Sequence, residues 1–258
     1  MKNIFKTILF FFSAISIAQD VGFSNILEAV YPDKNNLKFY KNYSIDSPKN
    51  TIYNINLVVK CELNSVIKVD YKSDSFNKII FSEVLDVPVE QNTGLDSRTE
   101  RFKGNINPYV IRRAPFRIFE IIKPIKSSML ISKSNFSLIN VKIPIDKNLN
   151  LDKHQIDFTI HINDQKFSLK LKIHIHDIII PELEKSNFFY TNWFNLSKME
   201  EYHQLERWST DWYIMLDKYA KLMAYGRQNC VKIPGELIYL EDDEIFLNEE
   251  RMMSFINV

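Results

Sequence analysis

Apolar and polar side chains alternate along much of the chain between residues 20 and 184. The alternation is clear over 51–63, and it returns over 156–162 and 167–175 on either side of a polar turn at 163–165. That pair of segments predicts a long antiparallel hairpin with one buried and one solvated face. Further strands are predicted over 66–71, 78–87 and 139–145. Several short strands with one-sided burial predict a mostly β chain with an N-terminal antiparallel β-sandwich over residues 19–184.

The pattern changes after Pro181. The segment 188–194 is aromatic-rich without alternation, which is typical of a strand buried on both faces. From Trp212 to Met223 the apolar residues fall three and four positions apart, and Gly226 follows, which predicts one amphipathic helix. A second strand is predicted over 230–240, and other helices are predicted to begin near Ser197, which forms a capping box with Glu200, and near Asn248.

This strand, helix, strand, helix order predicts that residues 185–258 form the first βα units of a (β/α)₈ barrel. A whole barrel takes about 250 residues, whereas this segment supplies 74. The barrel is therefore expected to be incomplete, so that the chain is an N-terminal fragment that is inactive alone.

The first eighteen residues have the composition of an export signal. Lys2 and Lys6 precede a short apolar run, and Ser16 and Ala18 supply small residues before Gln19. This arrangement predicts a signal peptide over residues 1–18 and a secreted or periplasmic protein. No later segment is long and apolar enough to predict a membrane span.

Composition excludes several classes of function. With 33 basic and 32 acidic residues the formal net charge is +1, which predicts no nucleic-acid partner. Five glycines in 258 residues leave no Gly-rich phosphate loop, and no cofactor is expected. Two cysteines cannot support a disulfide scaffold, and Cys61 falls on the apolar face of its strand, which predicts a core thiol.

Two histidines and one arginine-rich segment are candidates for binding. His174 and His176 project from one face of a strand, as metal-binding imidazoles can. Because three lysines share that face and no third ligand lies nearby in sequence, we predict a solvated cationic face and no metal site. Between Pro88 and Pro124 the alternation lapses, which predicts an irregular loop packed on a neighbouring domain or, alternatively, a surface for an anionic ligand. The lysines are Lys166, Lys170 and Lys172, and the arginines of the loop are Arg98, Arg101, Arg112, Arg113 and Arg117.

Two further features bear on sugar chemistry. Glu241-Asp242-Asp243-Glu244 could supply the paired carboxylates of a glycosidase, although such runs more often form a solvated loop, which we favour here. Asn192 and Trp193 end the first predicted strand of the βα region, where Trp193 could stack on a sugar ring and Asn192 could bond its hydroxyl groups. The alternative is that Trp193 fills the barrel core or a contact between domains.

Several of these blocks together resemble glycoside hydrolase family 123. The blocks are Asn192-Trp193-Phe194, Trp212, Tyr219 to Ala224, and Arg227-Gln228-Asn229 in the second region, with Pro88 to Gly94 and Arg113-Ala114-Pro115 upstream. The resemblance implies a β-sandwich followed by a catalytic barrel, and hydrolysis of β-linked N-acetylgalactosamine or related amino sugars. It implies a retaining, substrate-assisted mechanism in which the substrate's own acetamido oxygen attacks the anomeric carbon, an Asp orients that group, and a neighbouring Glu is the general acid.

In the resembled family the Asp-Glu pair lies on a later strand, so the role is not transferred to Asp243-Glu244 and the catalytic residues stay unassigned. The expected substrate is a glycan, with Asn192 and Trp193 as substrate-binding residues. The alternative from a different class is a non-catalytic β-sandwich module that binds carbohydrate or a partner.

Overall fold

The computed structural model describes residues 19–33, 38–92, 101–102, 105–108, 110–192 and 194–258. The chain divides into two compact units, one before and one after the bond between Ile180 and Pro181. The predicted signal peptide, residues 1–18, lies outside the described residues. Within the described part of the chain, no helix has both the length and the apolar character needed to cross a bilayer.

The first unit contains two five-stranded sheets. In the first sheet every neighbouring pair of strands is antiparallel. Its strands, in spatial order, are β1 (Asp20–Ser24), β3 (Thr51–Lys60), β10 (Phe136–Ile145), β5 (Ile80–Val89) and β8 (Phe116–Pro124).

The second sheet is antiparallel except at one edge, where β2 runs parallel to β12. Its strands, in spatial order, are β2 (Asn42–Lys49), β12 (Gln165–Ile179), β11 (Lys153–Ile162), β4 (Val66–Lys72) and β9 (Met129–Ile131). Two short strands, β6 (Arg101–Phe102) and β7 (Asn105–Ile106), form a separate hairpin. The predicted hairpin of β11 and β12 is confirmed, and Asn163 takes a φ of 51° in its two-residue turn.

The inner faces of the two sheets share one apolar core, which is the arrangement of a β-sandwich. Phe23 of β1 packs edge-on against Phe158 of β11, with ring centroids 5.7 Å apart. Cys61 is fully buried beside this core, so the predicted core thiol is confirmed. Burial raises the pKa of the Cys61 thiol, and hydrogen bonds with neighbouring serines oppose that rise only in part.

The outer faces of the two sheets differ in what covers them. Strand β3 is buried on both faces from Ile55 to Val59, because a second apolar cluster lies on the outside of its sheet. That cluster consists of Val30, Val58, Val84, Phe136 and Leu138. Strand β12 alternates between buried and exposed residues from Phe167 to His176, since its outer face meets solvent. Strict alternation therefore marks strands whose outer face is uncovered.

The predicted irregular loop between Pro88 and Pro124 is wrong in its last part. Residues 116–124 form β8, which pairs antiparallel with β5. Strand β8 is an edge strand, and most of its side chains are exposed or half-buried. A strand without a buried face carries no alternation of polarity, so the sequence pattern did not reveal it.

The second unit contains the three α-helices of the described residues. These are α1 (Leu196–His203), α2 (Thr210–Tyr225) and α3 (Glu249–Ile256), with single 3₁₀ turns at Leu183–Lys185 and Gly235–Leu237 and a hairpin of β13 (Ile238–Glu241) and β14 (Glu244–Leu247). The predicted stripe of α2 is confirmed, because Trp212 and Leu216 are buried and pack with Met199 of α1. Ser209 caps α2 by accepting a hydrogen bond from the backbone N–H of Trp212.

The strands predicted for this unit differ from the structure. Residues 188–192 and 194 form no strand. Of the predicted strand over 230–240, only the last three residues lie in a strand, β13, which pairs antiparallel with β14. Phe188 and Phe189 are 75% and 79% exposed, whereas a parallel strand is stable when both of its faces are covered. The described residues of the second unit contain no parallel strand pair, so the predicted start of a (β/α)₈ barrel is not seen.

Candidate functional site

The segment that carries the predicted sugar-binding residues is held beside residues 229–230. The backbone N–H of Tyr190 donates to Asn229 Oδ1 at 2.8 Å, and the Tyr190 carbonyl accepts from the N–H groups of Asn229 and Cys230. Asn229 Nδ2 also donates to the Phe188 carbonyl at 2.9 Å. An asparagine side chain therefore supplies bonds that a neighbouring strand would supply in a sheet.

Asn192 lies at the exposed end of this segment. Its side-chain Nδ2 and Oδ1 lie 2.9 and 3.1 Å from the hydroxyl of Tyr190, which orients the amide at the surface. Trp193, the other predicted substrate-binding residue, lies outside the described residues. Of these two residues the structure therefore describes Asn192 alone, whose side-chain amide is exposed to solvent.

An open groove of about 700 Å³ begins two residues further along the chain. Phe194 and Tyr219 form its aromatic wall, with ring centroids 5.0 Å apart, and Tyr202 is 83% exposed beside them. The Tyr219 hydroxyl lies 3.0 Å from His203 Nε2, which fixes the phenol ring. The lining residues are Phe194, Asn195, Lys198, Met199, Glu201, Tyr202 and Tyr219.

The chemistry of this groove suits a polar ligand with apolar ring faces. Aromatic side chains offer flat surfaces to the C–H faces of a sugar ring. Lys198 and Glu201 pair at 2.5 Å on the exposed side and can exchange that bond for sugar hydroxyl groups. Tyr219 belongs to a block that suggested the family resemblance, but Lys198 and Tyr202 had no sequence signal, because they meet Tyr219 only once α1 packs against α2.

Glu200 lies beside the groove residues but points into an internal ion-pair network. Arg207 Nε donates to Glu200 Oε1 at 2.5 Å, Arg207 Nη2 donates to Ser197 Oγ at 3.0 Å, and Trp212 Nε1 donates to Glu200 Oε1 at 2.8 Å. Arg207 also bonds Glu236. Burial alone would raise the pKa of Glu200, but the hydrogen bonds from Arg207 and Trp212 outweigh it and hold that pKa below its usual value.

The predicted capping box of Ser197 and Glu200 is therefore wrong. Asn195 caps α1 instead, by accepting a hydrogen bond from the N–H of Lys198 at 3.0 Å. Both predicted box residues bind Arg207, because a guanidinium and a carboxylate form a stronger pair than a local cap. An ionised Glu200 held in this way is a structural group and does not resemble a general acid, whose pKa must be raised.

The acidic run at 241–244 forms the tip of the β13–β14 hairpin. Asp242 and Asp243 take φ values of 49° and 63°, the two positive values of a two-residue hairpin turn. All four acidic residues are exposed, which confirms the predicted solvated loop.

Two arginines of the segment between Pro88 and Pro124 are held by partners within the chain. Arg112 Nη1 donates to Asp33 at 2.9 Å, and its guanidinium lies 4.5 Å from the centroid of the Tyr31 ring. The Arg117 side chain donates hydrogen bonds to the side-chain carboxylate of Asp86 and to its main-chain carbonyl. Arg98 lies outside the described residues. These pairs favour a structural role for Arg112 and Arg117 over the alternative of an anion-binding surface.

The two histidines of β12 form a cluster with a residue that sequence analysis missed. Asp46 of β2 is the register partner of His174 in the parallel pair. Asp46 Oδ1 lies 3.1 Å from His174 Nδ1 and 2.8 Å from His176 Nε2, and hydrogen bonds with both imidazoles hold the pKa of Asp46 below its usual value. Asp46 precedes His174 by 128 positions, and β2 itself was not predicted, so no local pattern could have brought the three together.

Among the solved structures with a fold like that of this chain is a glycosidase. It is a family 123 glycoside hydrolase from Clostridium perfringens, whose structural analysis concerns glycolipid glycan hydrolysis. The two superpose with a TM-score of 0.63 at 10% sequence identity, over 81% of this chain and 36% of that chain. This chain therefore spans about a third of the length of that enzyme, and the likeness shows a shared fold.

Other comparisons add no argument about function. A PapD-like domain of human CEP192 covers 70% of this chain and 99% of its own at 10% identity, with a TM-score of 0.27. The N-terminal domain of PorA covers 62% of this chain and 99% of its own at 8% identity, with a TM-score of 0.28. No protein-family model matches the sequence, and no curated protein matches it.

Proposed function

We propose that this protein is a glycoside hydrolase-like protein of the family 123 type, which acts on glycans that carry β-linked N-acetylgalactosamine or a related amino sugar. The observation that carries the proposal is the extent of the structural match. A match over 81% of the chain includes more residues than the first unit contains, so it reaches into the second unit. A sandwich alone would support many unrelated functions, whereas a match that continues past Ile180 supports a common two-part plan.

The groove supports the same proposal from its chemistry. Its aromatic wall at Phe194 and Tyr219 continues to the exposed ring of Tyr202, and Asn192 lies two residues before Phe194. We propose that Asn192 and Trp193 contact the glycan, as the family resemblance suggests. We also propose that residues 185–258 contribute the first βα units of an incomplete barrel, with segments 188–190 and 229–230 side by side where its first two strands would run.

The catalytic step needs an acid pair that we do not assign in this chain. The resemblance implies that the substrate's acetamido oxygen attacks the anomeric carbon while an Asp orients it and a Glu protonates the leaving oxygen. Glu200 is bound to Arg207, and the acids at 241–244 lie on an exposed turn. We therefore propose that the chain alone binds glycan without cleaving it, which is also what the alternative of a non-catalytic binding module requires.

Export is the remaining part of the proposal. The basic start, the apolar run and the small residues before Gln19 support a signal peptide and a secreted or periplasmic location. Expression of the whole gene in a bacterial host, followed by N-terminal sequencing of the exported protein, tests it. A mature protein that begins at Gln19 is expected, and an uncleaved cytoplasmic product would contradict it.

Binding and hydrolysis are tested separately on the purified chain. Calorimetric titration with an N-acetylgalactosamine-terminated oligosaccharide should show binding. The variant Tyr202→Ala should weaken binding about 2- to 12-fold, because aromatic contacts contribute about 0.5–1.5 kcal/mol. Tyr225→Ala is the matched control, since Tyr225 is a half-exposed tyrosine of α2 that does not line the groove.

The chain should release no nitrophenol from 4-nitrophenyl N-acetyl-β-galactosaminide. Hydrolysis that survives purification to homogeneity would show that acids within this chain suffice, and would overturn our assignment of the catalytic pair. Absence of both binding and hydrolysis would remove the support for a glycan-active protein altogether.

A further inference from the structure

Asp46, His174 and His176 lie together on the outer face of the second sheet, in the unit that does not contain the groove. We propose that these three side chains form a binding site for a divalent transition metal of the Zn²⁺ type. The proposal is independent of the proposed function, because it rests on the sandwich alone.

The distances between the donor atoms suit such an ion. Zinc binds imidazole nitrogen at about 2.0–2.1 Å and carboxylate oxygen at about 2.0–2.2 Å, so neighbouring ligands of one tetrahedral ion stand roughly 3.3–3.5 Å apart, a few tenths of an ångström more than the hydrogen-bonded separations here. Asp46 Oδ1 lies 3.1 Å from His174 Nδ1 and 2.8 Å from His176 Nε2. All three ligand atoms lie within 4.8 Å of one another. The two imidazole rings contact each other, with centroids 4.4 Å apart, and both are about half exposed, so that an ion can reach the donor atoms from solvent.

The backbone of the parallel pair brings these side chains to one place. His174 is paired with Asp46, and the regular register of β12 with β2 continues to the pair of Ile175 and Ser47. The register then shifts, so that Ile179 pairs with Lys49. His176 lies at the start of this irregularity, and β-bulges commonly redirect a side chain next to a functional site.

The lysines that argued against a metal from sequence lie mostly out of range. A strand rises about 3.3 Å per residue, so Lys170 and Lys166 stand roughly 13 and 26 Å along β12 from His174. The Debye length at physiological salt is about 8 Å, so these exposed charges are largely screened at the cluster. Lys172, on the same face, and Lys153, the partner of His174 in β11, are the nearby cations. They are opposed by the carboxylate of Asp46, whose side chain is 72% exposed.

The donor set selects the class of ion. Two imidazole nitrogens favour zinc, copper, nickel or iron over calcium and magnesium, which prefer oxygen ligands. Three protein ligands leave at least one coordination position for water or another ligand. A bound ion would also tie the edge strand β2 to β12 through side chains.

Zinc binding to the untagged, EDTA-treated chain tests the proposal, with a chromophoric chelator as competitor. We expect one equivalent of Zn²⁺ to be withdrawn from the chelator. The variants Asp46→Asn, His174→Gln and His176→Gln should each weaken binding at least about tenfold, since loss of even an outer partner of a metal ligand costs 10–100-fold. Their unchanged circular dichroism would show that the sheet is intact.

His161→Gln is the matched control. His161 lies on the same sheet and pairs with one carboxylate, Asp70, at 3.1 Å, but has no second imidazole. This variant should bind zinc like the original chain. Equal weakening by His161→Gln, or no zinc taken from the chelator, would overturn the proposal. Substitution with Co²⁺ gives a readout that needs no variant, because four-coordinate Co²⁺ absorbs visible light more strongly and at longer wavelength than the aqueous ion does. A spectrum like that of aqueous Co²⁺ would also overturn the proposal.

Discussion

The two units of this chain are stabilised in different ways. In the first unit two sheets enclose one continuous apolar core, whose central residues, such as Phe23 and Phe158, are almost fully buried. In the second unit the largest buried cluster contains only Met199, Trp212 and Leu216 with partly buried neighbours, and Leu237 is buried separately. Beside that small core, Glu200 and Arg207 form a hydrogen-bonded ion pair with about one fifth of each side chain exposed.

The units also differ in the apolar side chains that they expose to solvent. The second unit exposes large apolar side chains on two segments. Phe188 and Phe189 lie on the first, Leu240 and Ile245 lie on the β13–β14 hairpin, and each is more than 70% exposed. Contiguous exposed apolar surface commonly marks a place where another surface docks. The comparison teaches that the sandwich has the larger apolar core, whereas the second unit combines a smaller apolar core with an internal ion-pair network.

All three tryptophans, at positions 193, 208 and 212, belong to the second unit. Tryptophan emission therefore reports that unit alone, whereas alkylation of the buried Cys61 reports the unfolding of the first. The comparison between the units can thus be tested in the intact chain.

The largest effect is expected from Phe158→Ala in the first core. Removing a buried phenylalanine ring costs about 3–5 kcal/mol through lost burial and the cavity left behind. The circular dichroism transition in urea should shift accordingly, and Cys61 should become open to alkylation at lower urea concentration. Tryptophan emission should change little, and an equal shift in emission would show that the two units unfold as one. Phe188→Ala is the control, because its ring is 75% exposed and surface changes usually stay within about 0.5 kcal/mol.

A smaller effect is expected from Glu200→Gln in the second unit. The amide can still accept from Trp212 Nε1, but the charge that pairs with Arg207 is lost. Hydrogen bonds to charged groups contribute about 1.5–3 kcal/mol. The free energy of unfolding that tryptophan emission reports should therefore fall by about that amount. Glu201→Gln serves as the control, since Glu201 is 71% exposed and pairs only with Lys198 at the surface. Equal shifts for the two variants would contradict a special role for Glu200.

The same carboxylate should make the second unit sensitive to acid. Because the pKa of Glu200 is lower in the folded state than its ordinary value of 4.5, the unfolded chain binds more protons just below that pH. The stabilisation is complete above about pH 4.5 and is lost as pH falls through the lower folded pKa. The urea midpoint of tryptophan emission should therefore fall between pH 6 and pH 3. The fall should be smaller in Glu200→Gln, and an identical fall in both proteins would contradict this prediction.

The smallest effect is expected at the hairpin turn. Asp243 takes a φ of 63°, a conformation that glycine adopts without steric cost. Asp243→Gly should raise the free energy of unfolding of the second unit by up to about 1 kcal/mol, and the urea midpoint should rise with it. Removal of one of four neighbouring acids contributes to the gain. Asp217→Gly in α2 should do the opposite, because glycine in a helix interior costs about 1 kcal/mol relative to alanine. Destabilisation by Asp243→Gly would contradict the turn geometry.

The sequence by itself determined the elements whose signals are local. Alternation marked β3, β10, β11 and β12, because one face of each meets the core, and helical spacing followed by Gly226 marked α2. Alternation also identified Cys61 as a core thiol. These predictions succeeded because burial of one face is visible in the order of residues.

Only the tertiary structure decided what depends on distant pairing. Ser197 and Glu200 have the spacing of a cap, yet Arg207 binds both of them, since the ion pair is the stronger interaction. Strand β8 escaped detection because it buries no face, and the segment 188–192 forms no strand because both of its faces lack a cover. Asp46 meets His174 and His176 only through the parallel register of two strands far apart in the chain, so the cluster is a property of the sheet and has no trace in local sequence.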